Sequence, residues 1–359
     1  MDDFDFGDID VAGGTRWYKD EFPTEGNMLL LLDADFIAYT VGFCSTPEEY
    51  QSYLEGKLDL LDKLDHACFL IRDAMTKAKA DAVRLYLTDS KSNFRLNLTD
   101  SYKEQRTDEK PPFWQEVKDW MGTRKAARWS VRNEADDMIS IDANAYYKEL
   151  DADGVERNKD MYALWSKIII GSKDKDIDQV YGNHVDLNTG KHYFVDYLGE
   201  LKPKWKDKEI NYYEYYPTVD ATPVSPEDIE RLSLTPDTYS RGARKGEVKT
   251  KRVCLGKQVV QRLDKLKGTG SKFFYAQVLM GDTVDNYFGL PNFGMVGTYE
   301  LLDQADTIEQ CHELTVAKYK EVLGDEWEDL FLLNARMAWM CQEQDEVWNP
   351  ELMKEKYYD

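Results

Sequence analysis

Short apolar runs alternate with longer amphipathic stretches over roughly the first half of the chain. In the longer stretches 47–80 and 134–150, apolar residues recur every three or four positions, the period of a helix with one buried face. Strands that alternate with helices in this way predict an α/β fold with a mostly parallel central sheet flanked by helices. The apolar runs that we predict as strands are Met28–Leu32, Ala82–Thr88, Ala127–Val131 and Lys167–Ile170.

The pattern changes after the fourth predicted strand. Residues 184–193 predict a hairpin around an Asn-Thr-Gly turn. Residues 196–270 are rich in Tyr, Lys and Pro and have weak periodicity, so we interpret them as an insertion. Within it, residues 241–267 hold ten Lys or Arg and two acids, a run that either binds a duplex backbone or forms a solvated lysine-rich loop. Helical periodicity returns in residues 271–359.

Length and composition limit the class of protein. The chain has 359 residues, of which 42% are hydrophobic, which is enough for a buried core and predicts two domains or one large domain with insertions. The net charge of −22 argues against unspecific binding to DNA or to anionic lipid, but it leaves room for a local basic groove. The apolar run at 28–32 is far too short to span a bilayer, so no membrane association is expected.

Processing signals and cysteine usage indicate a reducing compartment. Residues 1–27 are acidic, begin without a basic segment, and are predicted to be a mostly disordered tail rather than a leader. The five cysteines are widely spaced and form no CxxC pair, which favours neither a disulfide framework nor a zinc ribbon. We therefore expect a cytoplasmic protein.

Acidic residues follow every predicted strand. Because the carboxyl ends of parallel strands share one edge of a sheet, we expect these side chains to converge there. A fifth acidic group lies further along the chain, in the segment 281–286. The acids are Asp33 after the first strand, Asp89 after the second, Glu134, Asp136 and Asp137 after the third, Asp174 and Asp176 after the fourth, and Asp282 and Asp285 in the later segment.

Carboxylates held this close raise one another's pKa, so the group needs a counter-charge. Lys175 supplies part of it, and hard divalent cations such as Mg²⁺ or Mn²⁺ suit an oxygen-rich site for the remainder. Two ions ~3.5–4 Å apart would orient a water and stabilise the leaving oxygen of a phosphodiester. Any single acid here is explained as well by helix capping, but capping does not predict acids after every strand.

Several segments together resemble the 5′-nuclease family, which contains flap endonucleases and 5′–3′ exonucleases, and especially its phage branch and the 5′-nuclease domain of bacterial DNA polymerase I. The resemblance spans about residues 28–345, apart from the insertion. The matching segments are LLLLDAD at 29–35, FRLNLTDSYKEQR at 94–106, NEADD at 133–137, SKDKDIDQV at 172–180, and FFYAQVLMGDTVDNYFGLPNFGMVGTYELL at 273–302.

The resemblance implies a PIN-like nuclease core over 28–195 with a helical arch at about 91–125, and a helix–three-turn–helix region within 271–359. It implies a first metal, or its water shell, at Asp33, Asp89, Glu134 and Asp136. It implies that Asp137, Asp174, Asp176 and Asp282 complete a second ion position, with Asp285 nearby and Lys175 balancing charge. Asp174 and Asp176 are accordingly expected to be catalytic as well as metal-binding.

The arch segment carries the implied contacts to the DNA end. By resemblance, Lys103 and Arg106 contact the scissile phosphate and act in catalysis, while Tyr102 stacks on a base. Independently of the family, the interleaving of Arg95 and these basic residues with Phe94 and Tyr102 suits capture of a single strand, although a solvated loop explains the same composition.

The glycine-rich segment resembles the family's duplex-binding hairpin. Gly289, Gly294 and Gly297 would let the backbone approach a phosphate at a helix N-terminus, or would simply form a turn between helices. The segment departs from the family pattern at Asn292, where a glycine is usual, and at Val296, where the phosphate-contacting lysine is missing.

The resemblance therefore implies a metal-dependent 5′–3′ exonuclease or flap endonuclease that acts on DNA ends, flaps or nicks. Partners expected with it are RNA–DNA hybrids and other replication proteins, in a host bacterial cytoplasm if a phage encodes the chain. A haloacid-dehalogenase-type phosphatase, with Asp33 as nucleophile and Asp282 and Asp285 on Mg²⁺, is an alternative. Two others are a PIN-type ribonuclease and a catalytically silent protein that binds DNA junctions in replication.

Overall fold

A mostly parallel sheet forms the centre of the protein. The computed structural model describes residues 17–44, 46–57, 60–89, 93–99, 102–104, 109–152 and 166–357. Within these residues the largest sheet has six strands in the order β3-β2-β1-β4-β5-β6, of which the first five are parallel and β6 is antiparallel to β5. The strands are β1 Leu29–Asp33, β2 Ala82–Leu87, β3 Ala127–Trp129, β4 Ile168–Ser172, β5 Gly182–Asp186 and β6 His192–Val195.

Helices cover both faces of this sheet and form the C-terminal part of the chain. The α-helices are α1 Asp35–Gly42, α2 Pro47–Leu54, α3 Leu60–Ala78, α4 Trp114–Gly122, α5 Ala135–Ala152, α6 Pro226–Arg231, α7 Gly270–Met280, α8 Met295–Leu302, α9 Ile308–Leu323, α10 Trp327–Ala338 and α11 Pro350–Tyr357. The described part of the chain contains no helix that is both long and apolar enough to cross a membrane.

Strand β1 lies in the middle of the sheet because both of its faces are apolar. Leu30 and Leu32 pack into the cluster on one face, while Leu31 packs into the cluster on the other. A continuous apolar run of this kind is typical of a parallel strand covered on both sides. Its last residue, Asp33, is in register with Tyr86 of β2, so the first acid lies at the carboxyl edge of the sheet.

The predicted α/β class and mostly parallel sheet are confirmed. The predicted helix over 47–80 is instead two helices, α2 and α3, whose connection is only partly described. The first 27 residues were expected to form a disordered tail; residues 1–16 lie outside the described residues, but 17–27 differ from that expectation. Tyr18 and Phe22 are buried in the same apolar cluster as residues of α3 and α4.

The most buried helix lies in the C-terminal region. Residues 270–279 of α7 are all buried, which is expected for a helix that is apolar on every side. It contacts α8, α9 and α10. The two-residue strands β10 Gly281–Asp282 and β11 Tyr287–Phe288 follow it as an antiparallel pair and lead to α8. The β10–β11 hairpin and residues 289–294 thus connect α7 to α8 in the segment predicted to be the helix–three-turn–helix region.

Residues 203–266 form a separate compact unit, which lies inside the predicted insertion of 196–270. Residues 17–202 and 267–357 belong to the other unit, so the C-terminal helices and the sheet share one compact body. The smaller unit is built on the long strands β7 Leu201–Val219 and β9 Thr250–Gly268, with the short β8 Thr222–Pro223 beside β7. Helix α6 lies between β8 and β9 in the chain.

Candidate active site

Ser172 joins the ends of the two central strands. It is the last residue of β4, and its Oγ donates to Asp33 Oδ2 at the end of β1 over 2.9 Å. The same Oγ accepts the backbone N–H of Asp174 over 3.0 Å. Asp33 Oδ1 also accepts the N–H of Asp35 over 3.1 Å. One hydroxyl group therefore links the carboxylate at the end of β1 to the backbone of Asp174, which follows β4.

Asp174 also lies close to the acids at the start of α5. Burial, with help from Asp35 and Asp174, raises the pKa of Asp33 to about 7. Burial, followed by the charges of Asp137, Glu134 and Asp174, raises the pKa of Asp136 well above its ordinary value. Acids that follow three different strands thus act on one another across the same edge of the sheet.

A second part of the same cluster brings in the acids from the β10–β11 hairpin. Burial first, and then Asp174, Asp282 and Asp285, raise the pKa of Asp176 to about 7, although Lys175 opposes the rise. Lys175 Nζ donates to Asp282 Oδ2 over 2.6 Å. The side-chain amide of the buried Gln277 donates to Asp176 Oδ1.

Glu134 connects the two parts through Lys103. Lys103 Nζ forms an ion pair with Glu134 and lies 4.0 Å from Asp285 Oδ1. Burial would raise the pKa of Glu134, but Lys103 and Arg95 outweigh it and hold that pKa below its usual value. Tyr102 donates its hydroxyl to Glu134 over 2.9 Å. We call the connected set the acidic edge; it consists of Asp33, Glu134, Asp136, Asp174, Asp176, Asp282 and Asp285.

Asp137 has a different environment from its neighbour Asp136. Its carboxylate accepts two hydrogen bonds from Arg95, over 2.6 and 2.9 Å, and the backbone N–H groups of Glu134 and Cys341. Although burial opposes ionisation, Arg95 and these bonds keep the pKa of Asp137 below its ordinary value. Both carboxylate oxygens of Asp137, which was predicted from its position to be a metal ligand, are thus occupied by hydrogen bonds from within the protein.

Arg95 is an interior residue, which differs from the DNA-contacting role expected of it. Its side chain is 2% exposed. Besides Asp137, its guanidinium donates to the carbonyl oxygens of Met337 and Trp339 over 3.1 and 2.6 Å. A guanidinium with these partners has no exposed face for a phosphate. Tyr102 is likewise buried against Glu134, so base stacking would require it to leave that position.

The remaining residues predicted for the site are Asp89, Arg106 and Lys103. Asp89 follows β2, and its backbone N–H donates to Ser130 Oγ over 3.0 Å. Arg106 lies outside the described residues, as does part of the predicted arch at 91–125. Lys103 adopts a left-handed backbone conformation with φ 55°, and its N–H donates to the carbonyl of Asp285 over 3.3 Å. This bond fixes the described part of the arch segment beside the acidic edge.

The three predicted glycines have different surroundings. A Cβ at Gly289 would lie 2.2 Å from the carbonyl oxygen of Leu279, so this glycine is required for β11 to approach the end of α7. A Cβ at Gly297 would lie 2.8 Å from the Phe293 ring. A Cβ at Gly294, which precedes α8, would meet nothing within 4 Å. Gly294 is therefore the one of the three that packing within the described chain leaves unexplained.

The donor chemistry of the acidic edge fits a hard divalent cation. Carboxylates whose pKa values are raised by burial and by one another are stabilised when positive charge is added. As arranged in the described residues, no three acidic, histidine or cysteine side chains form a ready metal-binding group. Lys103, Lys175 and Gln277 each engage one of the carboxylates instead, so a cation would compete with these partners.

Residues that sequence reasoning missed are those that hold the acids in place. Ser172 had a signal, since it follows the apolar run after a single glycine and stands two residues before Asp174. Gln277 is the single amide side chain in the run FFYAQVLM, and an amide in a buried run needs a partner. Tyr287 is buried beside Asp176, Asp282 and Asp285, and nothing in its sequence context indicated this.

Comparisons with known proteins find solved structures of similar fold whose sequence identity to this chain is low. No protein-family model matches the chain, and no curated protein matches it. The chain is similar to a solved structure of the 5′-exonuclease of T5 with zinc bound, at 13% identity and a TM-score of 0.42, covering 87% of this chain and 89% of that one. It is also similar to the D15 flap endonuclease of bacteriophage T5 in a pseudo-enzyme–product complex with DNA and metal ions, at 14% identity and a TM-score of 0.45, with 87% and 89% covered.

Proposed function

We propose that the protein is a divalent-metal-dependent 5′-nuclease that hydrolyses DNA phosphodiesters from 5′ ends or at flaps. The observation that carries the proposal is the acidic edge. Asp174 lies close enough to Asp33 and Asp136 to raise the pKa of both, although the three acids follow three different strands. A fold that places ionisable groups together against their own repulsion does so at a cost, and binding a cation offsets that cost.

The proposed cofactor is Mg²⁺ or Mn²⁺, because both ions prefer oxygen ligands. We propose that two ions bind. Asp33, Asp136, Asp174 and Asp176 would hold the ions, with Glu134, Asp282 and Asp285 next to them and Asp89 at the neighbouring strand end. A bound cation of this kind lowers the pKa of water and polarises a phosphoryl oxygen. Asp137 is left out of the proposed ligand set because Arg95 occupies it.

The chain's own side chains would orient the DNA end. Lys103 lies between Glu134 and Asp285, so its ammonium group is available beside the acidic edge once a cation takes its place on Glu134. Arg106, three residues further on, would contact the same phosphate. Gly294 precedes the N-terminus of α8, where unpaired N–H groups suit a phosphate of the duplex.

The proposed substrates are DNA with 5′ ends, flaps or nicks, and RNA–DNA hybrids as primers. The proposed setting is DNA replication or breakdown in the cytoplasm of a bacterial host, with other replication proteins as partners. These details rest on the family resemblance of the sequence segments and on the acidic edge beside Lys103.

A digestion series tests the proposal. Flap, nicked duplex, blunt duplex and RNA–DNA hybrid substrates, labelled at the 5′ or the 3′ end, are incubated with and without Mg²⁺. We expect metal-dependent products that are released from the 5′ end. Asp174→Ala should lower the rate at least about a hundredfold. It should retain the fold, since Asp174 is exposed and its carboxylate accepts only the N–H of Asp176 among the described contacts.

Asp178→Asn is the matched control. Asp178 is two residues from Asp176, but its carboxylate accepts the hydroxyl of Tyr193, which asparagine can also accept. Its cleavage rate should stay within about twofold of wild type, a difference well under 1 kcal/mol in the barrier. Full activity of purified, folded Asp174→Ala would show that the acidic edge is not the catalytic site. Products released only from the 3′ end would exclude a 5′-nuclease.

A further inference from the structure

The unit formed by residues 203–266 has a charge opposite to that of the whole chain. It contains thirteen Lys or Arg and ten acids, whereas the chain as a whole contains 46 and 68. The excess is concentrated in β9, where six basic residues accompany one acid. We call β7 and β9 together the β-ribbon. Positive charge in one element of an otherwise acidic chain indicates a specific negatively charged partner.

The β-ribbon has almost no buried face. Each strand has 19 residues, and within these fully described strands the buried ones are Leu201 and Thr218 of β7 and Leu263, Leu266 and Gly268 of β9. At about 3.3 Å per residue, each strand extends for about 60 Å, more than one turn of B-DNA at about 34 Å. A ribbon with so little core area presents its side chains to solvent along its whole length.

The cations along β9 are exposed and only partly neutralised. Lys257 pairs with Glu209 over 2.9 Å. Arg252 and Arg262 are also exposed, and neither has a carboxylate within ion-pair distance in the described part of the chain. The guanidinium of Arg252 lies 3.6 Å from the centre of the Tyr213 ring, which holds its plane in place while leaving its N–H donors for another group.

We propose that the β-ribbon is a binding arm for duplex DNA, which contacts the phosphate backbone through Arg252 and Arg262. A two-stranded ribbon has the width that the major groove of B-DNA accepts. Its cations are spread over a length that follows the backbone for more than one turn. Exposed Trp205 and Tyr215, at 44% and 68%, add flat apolar area beside the sugar–phosphate chain. The proposal concerns binding alone and does not require that the protein cleaves DNA.

The strongest competing explanation is that the lysines and arginines protect an edge strand from pairing with other chains. Strand β9 is at the edge of its three-stranded sheet, and charged residues on edges prevent aggregation. That explanation predicts that removal of the cations increases self-association and leaves DNA affinity unchanged. The DNA-binding proposal predicts that removal of the cations weakens DNA binding and leaves self-association unchanged.

The test compares two double variants of the full chain that remove the same charge. Arg252→Gln/Arg262→Gln removes the ribbon cations. Arg231→Gln/Arg244→Gln removes two arginines of the same unit that are each paired with an acid three residues away. Binding to a fluorescent blunt duplex of about three helical turns, ~30 base pairs, is measured by anisotropy in EDTA, between about 50 and 200 mM salt.

We expect the ribbon variant to bind at least about tenfold more weakly at the low-salt end, and its slope of log K against log salt to be smaller by about two, one for each arginine removed from a phosphate. The control should stay within about twofold of wild type. Equal weakening in both variants, an unchanged slope, or self-association with unchanged DNA affinity would each overturn the proposal. Weakening confined to single-stranded DNA would overturn its duplex form.

The experiments can overturn the nuclease proposal and the binding-arm proposal independently of each other. Since binding is measured in EDTA, no cleavage enters the result. Asp174→Ala should bind the duplex as wild type does. If that variant still cleaves DNA while the ribbon variant binds more weakly, the nuclease site is misassigned and the binding arm stands.

Discussion

The acidic edge and the β-ribbon hold charge in opposite ways. Most carboxylates of the edge are half-buried or buried, and neighbouring groups fix them, such as Ser172 on Asp33 or Lys175 on Asp282. Cations of the ribbon are exposed and lie in few ion pairs. Buried charge is strongly coupled to the fold and to its neighbours' pKa values, whereas exposed charge contributes little to stability. The same kind of substitution should therefore have different consequences in the two regions.

The largest expected difference concerns arginine. Arg95→Met leaves Asp137 buried without its partner and should lower the free energy of unfolding by about 3–5 kcal/mol. Arg262→Met on the ribbon should change it by less than about 0.5 kcal/mol. Urea unfolding of both variants measures the difference.

A compensating change sharpens the arginine result. Because Arg95→Met is costly through the unpaired carboxylate, Arg95→Met/Asp137→Leu should recover part of the stability. A similar destabilisation by Arg95→Met and Arg262→Met would contradict the contrast between the regions. No recovery in the double variant would assign the cost to the carbonyl contacts of Met337 and Trp339 instead.

The second difference is in pH dependence. The pKa values of Asp33 and Asp176 are about 7 in the folded protein, above the ordinary carboxyl value of 3.8. Between these values the folded state keeps protons that the unfolded state has released, so metal-free stability should fall as pH rises from about 5 to about 8, by on the order of 1–3 kcal/mol. Urea unfolding in EDTA at both pH values measures it.

Substitutions in each region separate the sources of this pH dependence. Asp33→Asn should flatten the profile, since it removes one of the groups whose pKa is raised on folding. Asp264→Asn, on the ribbon, should leave the profile unchanged. Lys206, whose Nζ lies 2.9 Å from Asp264 Oδ2, lowers the pKa of Asp264, so this group is ionised throughout the range. If the metal-free stability instead rises between about pH 5 and pH 8, the pKa values of the acidic edge are not raised in the folded protein.

The smallest expected effect is on the ribbon ion pair. Lys257 and Glu209 are 2.9 Å apart, with more than half of each side chain exposed. Lys257→Met should therefore change the free energy of unfolding by less than about 0.5 kcal/mol. A destabilisation above about 1 kcal/mol would show that the pair is part of the fold and would weaken the contrast.

The sequence predicted the sheet and the position of its acids better than it predicted their partners. Apolar runs such as 28–32 predict a buried strand from local pattern alone, and an acid directly after the run must lie at the sheet edge. The pairing of Arg95 with Asp137 depends on how distant segments pack, and no local pattern contains that information. Arg95 was therefore interpreted from its basic charge as a DNA contact, while the structure gives it a buried partner.

The Arg95 pocket also bears on how the chain is synthesised. The carbonyl groups that complete it belong to Met337 and Trp339, separated from Arg95 by 242 and 244 positions. Until the ribosome has released that stretch, the guanidinium and the start of α5 lack the contacts that hold them. A nascent chain therefore completes this pocket only after residue 339 has been synthesised and has packed against Arg95.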